Sequence, residues 1–293
     1  MKKQMLGQFE TSELIYGSWR INESNLTTDE LITFLEKLFE LDINTIDTAE
    51  IYGGSYHRAE EILGNAFKLK PDLRKKFVII TKTGIVAGNG LTPHYDNTFD
   101  YIVNSVEKSL EALCINKIDI LLLHRPDILC DFEEIYRTFK YLLDNNKVAE
   151  FGVSNYSPIQ FSSLYKFLNK RGINLVTNQI ELNNFSSEHY DNDNTFFLKG
   201  EEISPMIWSP MGGGKLFEDN NISKGIEKIA DKYNTSKENI VISFLHNQGL
   251  NPCTILGSHK IQRYEDAIDA LELQITPEEK YKMIKLFTKK DIR

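Results

Sequence analysis

Eight short apolar runs, each followed by a stretch of helical periodicity, constrain this chain more than any other feature. The runs are ELIYGSW (13–19), NTIDT (44–48), FVIITKT (77–83), IDILLLH (118–124), EFGVSN (150–155), VTNQIE (176–181), PMIWSP (205–210) and CTILGS (253–258). Alternation of this kind builds parallel βα units, because each pair of parallel strands needs a crossover to bring the chain back. After the first run, TTDELITFLEKLFEL sets Leu31, Leu35, Leu38 and Leu41 on one stripe, and Thr27 three residues before Glu30 predicts a capping box. YIVNSVEKSLEAL repeats the stripe with Ile102, Val106, Leu110 and Leu113, and SPIQFSSLYKFLNK places Pro158 at a first helical position.

No Pro/Gly/Ser linker and no composition shift interrupts the series, and no G-x-G-x-x-G fingerprint marks a doubly wound sheet. The expected fold is therefore α/β, a single (β/α)8 TIM barrel over residues 1–293. KENIVISFLHNQ predicts an extra helix before the eighth strand and PEEKYKMIKLF a terminal one. A hydrophobic content of 41% supplies the core such a barrel needs, and a net charge of −8 argues against a general nucleic-acid or anionic-membrane surface. Cys114, Cys130 and Cys253 have neither C-x-x-C spacing nor partners for a zinc site, so reduced thiols in the cytoplasm are expected. MKKQMLGQFETSE lacks an apolar export segment, and no stretch is long and apolar enough to span a bilayer.

In a barrel of this kind, polar residues at the strand ends converge on one mouth. Asp47, Lys82, His124, Ser154, Asn155 and Gln179 stand at such ends, and Tyr52 follows the second strand. Each has a plain structural alternative. Asp47 with Glu50 fits a D-x-x-E helix cap, Tyr52 can pack beside its glycines, Lys82 can snorkel to solvent, and His124 can be a hydrogen-bonded rim residue. Together they suit proton transfer: an ammonium at Lys82 would stabilise the Tyr52 phenolate, Asp47 would orient the lysine, and a neutral His124 would donate to a substrate oxygen. MGGGKLF (211–217) is not a P-loop, since Leu follows Lys215, and DNDNTFFLKGEE (191–202) has Phe196 where a calcium loop needs glycine, so no metal is expected.

TIDTAEIYG, ITKTG, LLLHRPD, FGVSNY, NQIELN, WSPMGGGKLF and ILGSHKIQR occur in the order and near the spacing of one family. The chain resembles the aldo-keto reductase superfamily nearly end to end, and is most similar to its bacterial oxidoreductase branch. The resemblance implies an Asp47, Tyr52, Lys82 and His124 tetrad and an NADP cofactor. It implies that Ser154, Asn155 and Gln179 hold the nicotinamide carboxamide and that Trp208 stacks on the ring. The loop from Ser209 through Pro210, Met211 and Gly212 to Phe217 would cover the pyrophosphate, with Lys215 adding charge. Ser258, Lys260 and Arg263 would hold the 2′-phosphate beside Gly257, which stands where many members have Lys; Ala267 stands where many have an adenine-binding Asn. A small-molecule carbonyl substrate would lie near Trp19, Tyr52 and His124, with the GLTPHYDN loop (90–97) as a further wall. One other reading stays open on the sequence, a nucleotide-binding redox sensor with little turnover, which the intact tetrad disfavours; a metal-dependent barrel hydrolase lacks its ligands. Nothing in the sequence decides the oligomeric state.

Overall fold

The computed structural model describes residues 1–88, 90 and 92–288. Eight parallel strands close into a barrel in the order of the chain: β1 (Leu14–Gly17), β2 (Thr45–Asp47), β3 (Val78–Thr83), β4 (Ile118–Leu123), β5 (Val148–Ser154), β6 (Leu175–Glu181), β7 (Met206–Trp208) and β8 (Cys253–Leu256). All eight predicted strands are present. The surrounding helices are α1 (Thr28–Glu40), α2 (Arg58–Leu69), α3 (Phe99–Leu113), α4 (Phe132–Asp144), α5 (Pro158–Asn169), α6 (Asn194–Gly200), α7 (Asn221–Lys232), α8 (Lys237–His246), α9 (Ile261–Glu272) and α10 (Pro277–Thr288). The two extra helices are α8 and α10, and the segment resembling a calcium loop runs into α6. Thr27 and Glu30 form the expected capping box, and Ser157 with Gln160 forms a second one with Pro158 at the first helical position.

Strand pleating explains which side chains reach the mouth. Ile46, Ile79, Leu121, Leu123, Phe151, Val153, Ile180 and Ile207 face the helices. Their neighbours Ile15, Ile80, Ile120, Leu122, Met206, Cys253 and Ile255 fill the barrel interior. Because side chains alternate along a strand, the next inward position at the C-terminal end falls on Asp47 after Thr45, Lys82 after Ile80, and His124 after Leu122. The same rule brings Trp208 inward after Met206. Space inside is tight: a Cβ on Gly152 would lie 2.7 Å from Leu122 and 2.9 Å from the Thr177 carbonyl, and one on Gly17 would lie 2.5 Å from Ile255. Only glycine lets the strands approach that closely.

The barrel floor is closed by a feature absent from the expected layout. Residues Lys3–Leu6 and Phe9–Ser12 pair as an antiparallel hairpin, and Leu6 and Phe9 pack into the interior cluster. Gly7, at φ +61°, supplies the positive dihedral that a two-residue hairpin turn requires at its first position. Among the described residues, no helix is long and apolar enough to cross a membrane, and no cluster of His, Cys, Asp or Glu could hold a metal ion.

Candidate active site

At the mouth three of the four converging polar groups, Asp47, Tyr52 and Lys82, form one hydrogen-bonded unit, and His124 packs beside it. Lys82 is fully buried, and its ammonium donates to Asp47 Oδ2 at 2.8 Å, to the Thr48 carbonyl at 2.8 Å and to the Tyr52 hydroxyl oxygen at 3.0 Å. Three donors thus meet three acceptors. Since the Tyr52 oxygen accepts from Lys82, the phenol keeps its own proton for a partner on the cavity side. The structure rules out both plain alternatives for the acid and the lysine. Lys82 does not reach solvent, and Asp47 caps no helix, because the chain after β2 runs through turns until Arg58. Glu50 is buried as well, accepting from the Gly84 and Ile85 amides at 2.8 and 3.2 Å and from the Thr83 and Ser105 hydroxyls, so it anchors the chain just beyond Lys82.

The electrostatics follow from burial. Desolvation pulls Lys82 toward the neutral form, but Asp47 and the Tyr52 oxygen outweigh it and hold the lysine above its ordinary range, charged. Tyr52 departs from expectation. Desolvation raises its pKa above the ordinary phenol value, and the opposing pull of Lys82 and Arg125, weakened by Asp47, does not bring it down. The phenol is therefore protonated at neutral pH. His124 is held well below the usual imidazole range, first by burial and then by Lys82 and Arg125, so it is neutral. Its Nδ1 is buried without a partner, which leaves Nε2 to face the cavity. The imidazole meets the Tyr52 ring edge-on at 5.7 Å between centroids.

A chain of hydrogen bonds continues around the rim. Trp208 Nε1 donates to Asn155 Oδ1 at 3.0 Å, Asn155 Nδ2 to Ser154 Oγ at 2.8 Å, and Ser154 Oγ to the Gln179 carbonyl at 3.0 Å. Gln179 Nε2 closes the circuit on Asp47 Oδ1 at 2.7 Å. Asn155 and Ser209 both take positive φ, +62° and +49°, turning the chain sharply as it leaves β5 and β7.

These groups border a cavity of about 770 Å³ that extends from Trp19, Tyr52 and His124 past Trp208, Ser209, Pro210 and Met211 to Phe217, Gly257, Ser258 and Arg263. The structure brings most of the expected residues to this one space. Gly212, Lys215 and Lys260 do not line it, and Lys82 lies behind Tyr52. The 90–97 stretch is a correction. Among its described residues none borders the cavity, because His94–Tyr95 pairs with Ile85–Val86 and is held on that hairpin, while Leu91 lies outside the described residues; Ile85 borders the cavity instead. Arg125, Arg20, Glu238 and Asn239 also border it and were not anticipated. Arg125 had a legible signal, since it directly follows His124; Glu238 and Asn239, on α8, had none.

The family model described as Aldo/keto reductase family matches residues 13–287. The chain belongs to the aldo/keto reductase family. Its relatives include the oxidoreductase YdhF of Escherichia coli strain K12, 34% identical over 283 residues that cover 94% of this chain and 93% of that one. A 6-dehydroglucose reductase of Agrobacterium fabrum is 34% identical over 293 residues, 97% of each protein. The crystal structure of the thermostable aldo-keto reductase Tm1743, in complex with the inhibitor epalrestat, superposes with a TM-score of 0.80 at 21% identity, covering 98% of this chain and all of the other. That likeness supports the barrel. This aldo-keto reductase is thus an oxidoreductase by family, of a kind that generally uses a nicotinamide cofactor on small molecules.

Proposed function

We propose that this aldo-keto reductase is an NADPH-dependent carbonyl reductase that turns an aldehyde or ketone into the alcohol. The observation that carries the reading is the Lys82 ammonium with all three donors engaged, one of them on Tyr52, leaving the phenolic proton directed at a cavity beside a neutral imidazole. The residues present suit a nicotinamide dinucleotide. The cavity is large enough for an elongated ligand, and a Cβ on Gly213 or Gly214 would meet nothing within 4 Å, so the loop after β7 leaves an open groove. At the far end, the N-terminus of α9 lacks a side-chain cap and Arg263 has no carboxylate partner among the described residues, which together favour an anion.

When bound, the nicotinamide supplies hydride to the carbonyl carbon. In this reading Ser154, Asn155 and Gln179 hold its carboxamide and Trp208 covers its ring, while Ser258 and Arg263 hold the 2′-phosphate. Tyr52 gives its proton to the carbonyl oxygen, His124 Nε2 donates a hydrogen bond to the same oxygen, and Lys82 holds the phenol in place with Asp47 behind it. A 6-dehydroglucose-type aldehyde, taken from the Agrobacterium relative, belongs in the first panel of substrates. Oxidation of NADPH with a panel of aldehydes and ketones tests the proposal; nucleotide binding with negligible turnover on every one of them would favour the redox-sensing alternative.

The raised Tyr52 and lowered His124 also set the pH dependence. Reduction needs the protonated phenol, which persists up to and beyond the ordinary phenol value, and His124 stays neutral above the ordinary imidazole value. Reduction at saturating NADPH should therefore be flat between about pH 6.5 and about pH 10 and decline only above that. Alcohol oxidation needs the phenolate, so its rate should rise across the same interval. A reduction rate that falls steadily from pH 7 upward would contradict the raised phenol.

Cofactor choice depends on Arg263. NADPH and NADH differ only by the 2′-phosphate, so Arg263→Ala should weaken NADPH binding by about 1–3 kcal/mol and leave NADH almost untouched. Quenching titrations with both nucleotides decide it, and equal losses for the two would move the 2′-phosphate elsewhere.

A further inference from the structure

The cavity contains a cation that the proton chemistry at Tyr52 does not require. Arg125 directly follows His124 at the end of β4, borders the cavity and is half-buried, with its guanidinium carbon 5.8 Å from the centroid of the Trp208 ring. Among the described residues its guanidinium meets no carboxylate and no hydrogen-bond acceptor. The contrast with Arg74 is clear: at similar depth, that side chain is held by Asp119 at 2.8 Å. A half-buried guanidinium with five donors and no protein acceptor is open to hold an anion that enters the cavity.

The neighbouring charges do not supply it. Asp47 is already shared between Lys82 and Gln179. Glu238 and Asp266 border the cavity from α8 and α9, and Asp266 accepts from Gln262 on its own helix; among the described residues neither pairs with Arg125. On the Tyr52 side the other charged rim residue is Arg20, exposed and 5.4 Å from the Trp19 ring, and Trp19 in turn lies 6.5 Å from Tyr52. The chain as a whole carries a net charge of −8, yet the substrate end of this cavity is positive.

We propose that the substrate is an anionic carbonyl compound, an aldehyde or ketone bearing a carboxylate or phosphate, and that Arg125 holds that anion beside Tyr52 and His124. The proposal rests on the reductase reading above and names its substrate class. A planar guanidinium binds carboxylate or phosphate oxygens through paired N–H groups, which fixes the orientation of the carbonyl as well as adding affinity. Arg125 also acts on the proton donors: after burial and Lys82, it helps keep His124 neutral, and it opposes the burial that raises Tyr52.

The test compares matched pairs, 4-carboxybenzaldehyde with its methyl ester and glyceraldehyde 3-phosphate with glyceraldehyde, in wild type, Arg125→Met and Arg125→Lys. An effect through Tyr52 cancels in the ratio of kcat/KM for anionic over neutral partner, and intrinsic reactivity cancels when that ratio is compared between variants. Arg125→Met should lower that ratio by about 10- to 100-fold, mainly through KM, and Arg125→Lys should recover part of it. Whether the loss falls on the carboxylate or the phosphate pair identifies the anion. A second readout needs no turnover, because the chain's two tryptophans, Trp19 and Trp208, both border the cavity. Benzoate should quench their fluorescence in wild type and far less in Arg125→Met. An anion-to-neutral ratio that Arg125→Met leaves unchanged in both pairs overturns the proposal while the reductase reading stands. Arg125-dependent quenching without reduction of any carbonyl leaves the anion site and removes the reductase reading, and neither quenching nor turnover removes both.

Discussion

Tyr52→Phe is expected to lower carbonyl reduction by at least about 10²–10⁴-fold, the range for loss of a general acid, with nearly unchanged nucleotide affinity. The ring that packs against His124 and Trp19 is retained, so the loss falls on the proton alone. Lys82 would lose one acceptor but keep Asp47 and the Thr48 carbonyl, which holds its position. Steady-state reduction and a nucleotide titration on the same preparation are sufficient. Near-normal turnover would remove Tyr52 from the chemistry.

Lys82→Met should have two large effects that can be separated. Asp47 is 2% exposed, and without the ammonium its charge would be left with Gln179 as its one remaining side-chain donor among the described residues. Breaking a buried pair from one side costs about 3–5 kcal/mol. Activity should fall to a level near that of Tyr52→Phe, because the cation that opposes the desolvation of Tyr52 and fixes its oxygen is gone. Adding Asp47→Asn removes the orphaned charge, so the double variant should regain most of the stability in urea denaturation and none of the activity. Recovery of activity along with stability would mean the pair serves only the fold.

Several local features could be read directly from the chain. The Thr27–Glu30 box and the Ser-Pro start at Ser157 are encoded within four residues, and each depends on contacts no longer than a helical turn. The eight strands were visible because apolar runs buried on both faces contrast with striped helices. Asp47 and Glu50 show where local reading stops. Their spacing matches a helix cap, yet Glu50 satisfies backbone amides at the end of β3, an arrangement that exists only once β2 and β3 pair. The N-terminal hairpin was not expected, although Gly7 stands at its turn, because its role as a floor depends on a barrel being there to close.

Sequence alone determined the element order, which polar residues stand at the strand ends and, through resemblance, the family. Each is carried by short-range periodicity or by residue types in order, and neither requires knowing what lies across the fold. Tertiary structure alone decided the rest. Lys82 meets Asp47 and Tyr52 across separations of 35 and 30 residues, and Gln179 meets Asp47 across 132, through closure of the barrel. A register shift between Leu175 and Asn178 changes the phase of β6, so that Gln179, three residues beyond the inward Val176, faces Asp47 where simple alternation would have aimed Asn178. Burial decided the charge states. The expectation that Lys82 would bring the Tyr52 phenol down considered one neighbour, whereas desolvation sums over everything that excludes water from the oxygen, and only the folded protein contains that sum.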